Sequence, residues 1–149
     1  MEFVHEVTAH LENKPGRLAK ICSAMAHEKI NIQALAVMQS QEHSVLRLVT
    51  EDPVSTRKVL TSLGTESEVR DVLAVEMENR PGALAKVLET LAEEHINVEY
   101  AYVAPGTVTG KSLGIFHTSN PKRALKVLLE PNGNNGADRS GDRRPLHAR

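Results

Sequence analysis

The chain has 149 residues, 18 of them Lys or Arg and 19 Asp or Glu, for a formal net charge of −1. That length holds one ordinary domain or two very small ones, and the balanced charge asks for neither nucleic acid nor an anionic membrane as a partner. A single cysteine excludes an internal disulfide and a Cys-rich zinc site, while two Phe, two Tyr and no Trp are too few rings for a base-stacking surface.

The chain opens with "EFVHEVTAHLE", where Phe3, Val7, Ala9 and Leu11 alternate with Glu2, Glu6, Thr8 and Glu12 in the manner of a half-buried strand. With Glu2, His5 and Glu6 in Met1–Thr8 and only short apolar runs elsewhere, the sequence is read as having no signal peptide or membrane span. A soluble cytoplasmic protein is the expectation. After Pro15-Gly16 the period turns helical, with Leu18, Ile21, Cys22 and Met25 on one stripe. Pro15 suits the first helical turn, where a missing N–H costs nothing. Strands are expected at 32–39 and 44–50. A second helix opens at Asp52-Pro53, a good cap and first-turn pair, with Thr56, Val59, Leu60 and Leu63 on its buried stripe.

Then the plan recurs. "TESEVRD" leads into "VLAVEME", Pro81-Gly82 opens a helix on Leu84, Val87, Leu88 and Leu91, strands are expected at 98–104 and 112–118, and Asn120-Pro121 opens the last helix. Residues 13–37 align with 79–103 without a gap, identical at 11 of 25 positions. Such self-similarity marks two copies of one supersecondary unit. The order βαββαβ is the split βαβ, ferredoxin-like arrangement. The expected fold is therefore α+β, two such units in tandem with antiparallel sheets and helices on one face. The units are placed at 1–67 and 68–130. No convincing last strand is written for the second unit, because the Gly/Pro-rich stretch 131–149 reads as a disordered tail. That omission leaves the edge of the second unit's first strand bare. Proteins seldom leave an edge so, which predicts that a second chain covers it, giving a homodimer or higher homo-oligomer.

A helix N-terminus offers unpaired N–H groups and about half a positive charge, attractive to a carboxylate. Gly16 and Gly82 lie where a ligand can approach the backbone. Asn13 and Asn79 at the strand ends, and Asn31 and Asn97 after the helices, carry amides that suit an ammonium. The same residues also make a plain strand-to-helix turn and an ordinary helix end, so the pattern alone leaves both readings open.

"NKPGRLAKICSAMAHEKINI" and "NRPGALAKVLETLAEEHINV" resemble the N-x-P-G-x-L…I-N-[IV] signature of the ACT domain family. The resemblance covers roughly residues 2–130. It implies ferredoxin-like modules that pair side by side, bind a free amino acid at their interface and regulate a metabolic enzyme, with amino-acid biosynthesis the expected setting. Two units without a catalytic domain are similar to stand-alone tandem ACT proteins and, more distantly, to the small regulatory subunits of acetolactate synthase. Carried over by position, the ligand-facing residues are Asn13, Lys14, Gly16, Arg17 and Leu18 with Asn31 from a facing module, and Asn79, Arg80, Gly82, Ala83, Leu84 and Asn97 in the second repeat.

No catalytic residues, cofactor or metal are expected. The seven histidines form no ligand spacing, no nucleophile or phosphate-loop pattern sits on a fitting element, and Cys22 reads as a small apolar residue. Tyr100 and Tyr102 share a strand face where the first repeat has Ala34 and Ala36; they read as core or interface filling, the interface preferred, or alternatively as a sign that the two pockets differ in size. The alternative function is a structural adaptor that oligomerises an enzyme and binds no small molecule.

Overall fold

In the computed structural model, residues 1–40 and 43–130 are described. The elements are β1 (Glu2–Glu12), α1 (Arg17–His27), β2 (Ile32–Gln39), β3 (His43–Thr50), α2 (Pro53–Ser62), β4 (Ser67–Glu78), α3 (Ala83–Glu93), β5 (Val98–Pro105), β6 (Lys111–Thr118) and α4 (Pro121–Leu129). The expected tail at 131–149 lies outside the described residues.

All strands join one antiparallel six-stranded sheet in the order β2-β3-β1-β4-β6-β5. Two ferredoxin-like units are thus fused through their central strands. β4 is long enough to serve both: Ser67–Ala74 pairs with β1, and Leu73–Glu78 pairs with β6. β1 is its counterpart, pairing with β3 over Glu6–Glu12 and with β4 over Glu2–Ala9. The bare edge expected on the first strand of the second unit is therefore covered from within. The place of the second unit's last strand is taken by the start of β1, so no second chain is needed to cover that edge. Sequence patterning could not show this, because strand pairing across repeats is decided by register rather than composition.

The helices cover one face. Val7, Ala9 and Leu11 of β1 pack with Ile21, Met25, Leu46, Leu48 and Leu60 beneath α1 and α2. Leu73, Val75 and Met77 of β4 pack with Leu91, Ile96, Phe116 and Ala124 beneath α3 and α4. Each fully buried Leu, Ile or Phe among them contributes about 1.5–3 kcal/mol. Cys22 is only half-buried beside the buried Ile21 and Met25. On the opposite face a third cluster draws on both units: Ala34, Val49, Val72, Ala74 and Ile115. The edge strands β2 and β5 approach each other, so the sheet curls around this shared inner face.

The repeat is visible in backbone detail. Lys29 and His95, equivalent residues after α1 and α3, both take a left-handed conformation at φ 56° and 55°. Asp52 accepts from Ser55 N at 2.9 Å and Asn120 from Arg123 N at 3.1 Å, capping α2 and α4 alike.

Candidate ligand site between the two units

Both Pro-Gly turns have the same construction. Arg17 N donates to Lys14 O and Ala83 N to Arg80 O, each at 3.3 Å. Gly16 sits at φ 80°, ψ −5° and Gly82 at φ 87°, ψ −13°, the third residue of a type II turn with proline second. Pro15 and Pro81 therefore precede the helices instead of opening them. The positive φ is why glycine stands there. Neither helix has a side-chain cap, and the amides of Leu18, Ala19, Leu84 and Ala85 find no backbone partner among the described residues.

The side chains around the first turn are already engaged. Lys14 Nζ lies 2.9 Å from Glu12. Arg17 donates through one guanidinium nitrogen to Leu63 O at 3.0 Å and Thr65 Oγ1 at 2.6 Å. Leu18 packs onto the first core. In the second turn Asn79, Arg80, Gly82 and Leu84 are exposed and Ala83 half-buried, with Asn79 N donating to Gly110 O at 2.9 Å.

Topology decides which of these groups can meet. α1 has 11 residues and returns antiparallel to β1, a run of about 16 Å. Asn13 and Asn31 therefore lie at opposite ends of the sheet, as do Asn79 and Asn97. Because β1 and β4 are antiparallel, Asn31 shares an end with the Asn79 turn, and Asn97 shares an end with the Asn13 turn. The expected pairs Asn13/Asn31 and Asn79/Asn97 do not form within the chain; the crossed pairs are brought to the same end.

At the Asn31 end a cleft of about 500 Å³ opens between the units. Its floor is Val4, Val49, Ala74 and Leu113, from four different strands of both units. Its rim carries Glu2, Asn31 and Gln33 on one side and Glu76 and Thr107 on the other. Thr107 Oγ1 donates to Glu76 Oε2 at 3.3 Å. Of the residues expected to face a ligand, Asn31 alone is on this lining; the Asn79 turn borders it through Gly110 and the β5–β6 hairpin. A wider depression of about 670 Å³ lies on the helix side over His5 and Val69. None of the asparagines borders it, so it is not the cleft the turns point to.

The Asn97 end carries a buried polar network instead. Glu6, fully buried, accepts from Tyr102 Oη on Oε2 at 2.6 Å, and on Oε1 from Tyr100 Oη at 2.5 Å and Thr8 Oγ1 at 3.0 Å. Arg47 donates to Glu6 Oε1 at 3.4 Å and to Thr8 at 3.3 Å. Its guanidinium lies 3.6 Å over the Tyr100 ring, leaving its buried Nε unpaired. His117 stacks on Tyr100 with centroids 4.8 Å apart. His117 Nδ1 is also 2.7 Å from Glu99, close enough for an ion pair when protonated, yet off-axis for a hydrogen bond. Burial, then the bond to Glu6, pushes the Tyr100 phenol up to about 12. Burial raises Tyr102 likewise.

Glu6 and Thr8 read in the sequence as the solvent side of an alternating strand. The available signal was the mismatch between repeats. Glu6 faces Val72 in the alignment, Arg47 faces Ile115, and Tyr100 and Tyr102 face Ala34 and Ala36, so acid, base and hydroxyls replace apolar residues together.

The sheet of fused ferredoxin-like units with doubled uncapped turns is matched by the family model for the ACT domain pair, over residues 2–140. The chain belongs to the ACT domain pair family. Among solved structures it is similar to protein BT0572 from Bacteroides thetaiotaomicron, at 31% identity and TM-score 0.77, covering 85% of this chain and 87% of that one. The ligand-free regulatory subunit of aspartate kinase from Thermus thermophilus shares the fold at 16% identity and TM-score 0.63, over 87% and 96% of the two chains. So does the regulatory subunit of aspartate kinase from Thermus flavus, at 17% identity and TM-score 0.56, over 86% and 92%. No curated protein matches the chain. Among the described residues no helix of this ACT pair is long and apolar enough to cross a membrane, and no group of acidic, His or Cys side chains could hold a metal ion.

Proposed function

We propose that this ACT pair is a cytoplasmic, non-enzymatic sensor that binds a free amino acid between its two units and modulates a metabolic enzyme, one of amino-acid biosynthesis. The observation that carries this reading is the cleft at the Asn31 end. It is built from both units, so occupancy bears directly on how the units are held together, which is what a regulator requires. Its size and its apolar floor with a few polar rim groups are those of a small-molecule site. The ligand ammonium is assigned to the cleft rim at Asn31, and its carboxylate to the Asn79 turn at the same end of the sheet, where the amides of Leu84 and Ala85 have no partner among the described residues. The corresponding groups at the other end are Asn13, the amides beyond Gly16, and Asn97. The fold shared with regulatory subunits of aspartate kinase supports a regulatory role and an enzyme partner.

A thermal-shift screen of the full chain against the twenty amino acids tests this. At least one should raise the midpoint, and Asn31→Ala should weaken its binding. The loss of one hydrogen bond amounts to about 0.5–3 kcal/mol, roughly a factor of two to more than a hundred in affinity. If no amino acid shifts the midpoint, the sensor reading fails. An adaptor that oligomerises an enzyme is then favoured by the unpaired edges of β2 and β5, where Leu35, Val37 and Val103 are exposed.

A further inference from the structure

We infer that the chain carries one amino-acid site rather than two, and that this site takes the ammonium of a ligand with an aliphatic side chain. The inference rests on the amino-acid reading above and adds its stoichiometry and chemistry. Equivalent residues of the repeats differ by 66 up to β2 and β5, and by 68 from β3 and β6 onward. Applying those offsets to the open cleft gives the residues of its twin. Val4 becomes Arg70, Val49 becomes His117, Ala74 becomes Thr8, and Ala34 of the shared inner cluster becomes Tyr100.

Three of the four floor residues thus give way to a larger or more polar group, while the fourth, Leu113, becomes the smaller Val45; Ala34 lies in the adjoining buried cluster. The groups are also committed to one another: Tyr100 lies between Arg47 and His117 with its hydroxyl on buried Glu6, and Tyr102 holds the other Glu6 oxygen. Clearing that space for a ligand would strip a buried carboxyl group of its donors, a loss that a small ligand does not restore. Among the described residues, the Asn97 end is thus occupied by the protein's own side chains.

The open end states its preference through charge. Its lining carries two carboxylates, Glu2 and Glu76, against the α-amino group of Met1 and no Lys, Arg or His, so acid outnumbers base. Glu76 Oε1 has no hydrogen-bond partner among the described residues, because Thr107 is on Oε2. An ammonium is stabilised there; a side-chain carboxylate is repelled. Beneath the rim, Val4, Val49, Ala74 and Leu113 offer nothing but apolar surface, which suits an aliphatic side chain and leaves a polar one unsatisfied.

Isothermal titration of the full chain with L-valine, L-leucine, L-isoleucine and L-methionine tests this, with L-glutamate and N-acetyl-L-leucine as controls. Binding of an aliphatic amino acid at one per chain, with neither control bound, is the expected result. Two per chain overturns the single site; glutamate or the acetylated compound binding as tightly overturns the chemistry. If another amino acid of the twenty binds and the aliphatic ones do not, the sensor stands and this inference fails. If none binds, both fail. Val4→Arg, which copies Arg70 of the other end onto the floor of the open one, should abolish binding with the circular dichroism unchanged. Should that variant fold poorly, Glu76→Gln on the exposed rim should weaken the aliphatic probe roughly 10- to 150-fold, and unchanged affinity in it overturns the ammonium assignment.

Discussion

His5 Nδ1 lies 2.8 Å from Asp71 Oδ1, and the two residues stand directly opposite each other on β1 and β4 while occupying the same position of their repeats. The approximate two-fold axis of the molecule therefore passes between them. Pairs on either side mirror one another: Phe3 faces Leu73 as Val7 faces Val69. Both side chains are well exposed, at 61% and 65%, so the pair marks the axis more than it stabilises it.

Deleting residues 1–5 should damage the second unit more than the first. Those residues pair with Asp71–Ala74 and cover an edge of β4, whereas β1 keeps β3 from Glu6 onward. Hydrogen exchange should accelerate at Val72–Met77, with self-association in sedimentation. A truncated chain that stays monomeric with unchanged protection in β4 would contradict the shared-strand account.

Tyr102→Phe should lower stability by about 1–3 kcal/mol, the cost of leaving a buried acceptor unpaired. Glu6 Oε2 has no other partner among the described residues. For a chain of this size the melting midpoint should fall about 2–4 °C per kcal/mol. An unchanged midpoint would mean that water or a rearranged donor replaces the hydroxyl.

Alkaline titration should report the closed end. Tyr100 ionises at about 12 in the folded chain because it is buried and bonded to Glu6, above the ordinary value of about 10. The folded state thus holds its proton longer than the unfolded state. The stability so contributed is complete below about pH 10 and is lost as the pH climbs toward 12. The chain has two Tyr and no Trp, so near-ultraviolet absorbance follows only Tyr100 and Tyr102. Half-ionisation of either near pH 10 with the fold intact would rule out the buried network.

Gly82→Val should destabilise even though a Cβ there meets nothing within 4 Å. The cause is the positive φ of 87°, which costs an L-residue about 1–2 kcal/mol. Gly82→Asn should be milder, since asparagine tolerates that region, and thermal melts compare the two. Equal losses would place the effect elsewhere than in the backbone.

Much of the fold was legible. Alternation in β1 and β4, the helical stripes, and Asp52-Pro53 and Asn120-Pro121 as caps are local signals, and local physics sets them. What was not legible is what depends on register between distant strands. β1 covering β4, Asn31 sharing an end with Asn79, and Glu6 lying under Tyr100 and Tyr102 all follow from how far one strand slides past another. Polar Glu6 and Thr8 on an alternating strand look solvated until the sheet curls and buries the side they occupy. The turns were recognisable because glycine and proline write their backbone angles into the sequence; the cleft was not, because its floor is ordinary Val, Ala and Leu.

β1 and β4 each begin beside one unit and finish beside the other, so the two halves stand to each other as the subunits of a dimer joined end to end. A dimer of identical repeats would be bound by its symmetry. Any acid introduced on the inner face would appear twice, and so would any tyrosine, so that Glu6 could never be matched by hydroxyls without both ends closing together. Joining the copies in one chain lifts that restriction. Each substitution then acts at one end only, and a symmetric scaffold becomes able to dedicate one end to holding itself together and leave the other free.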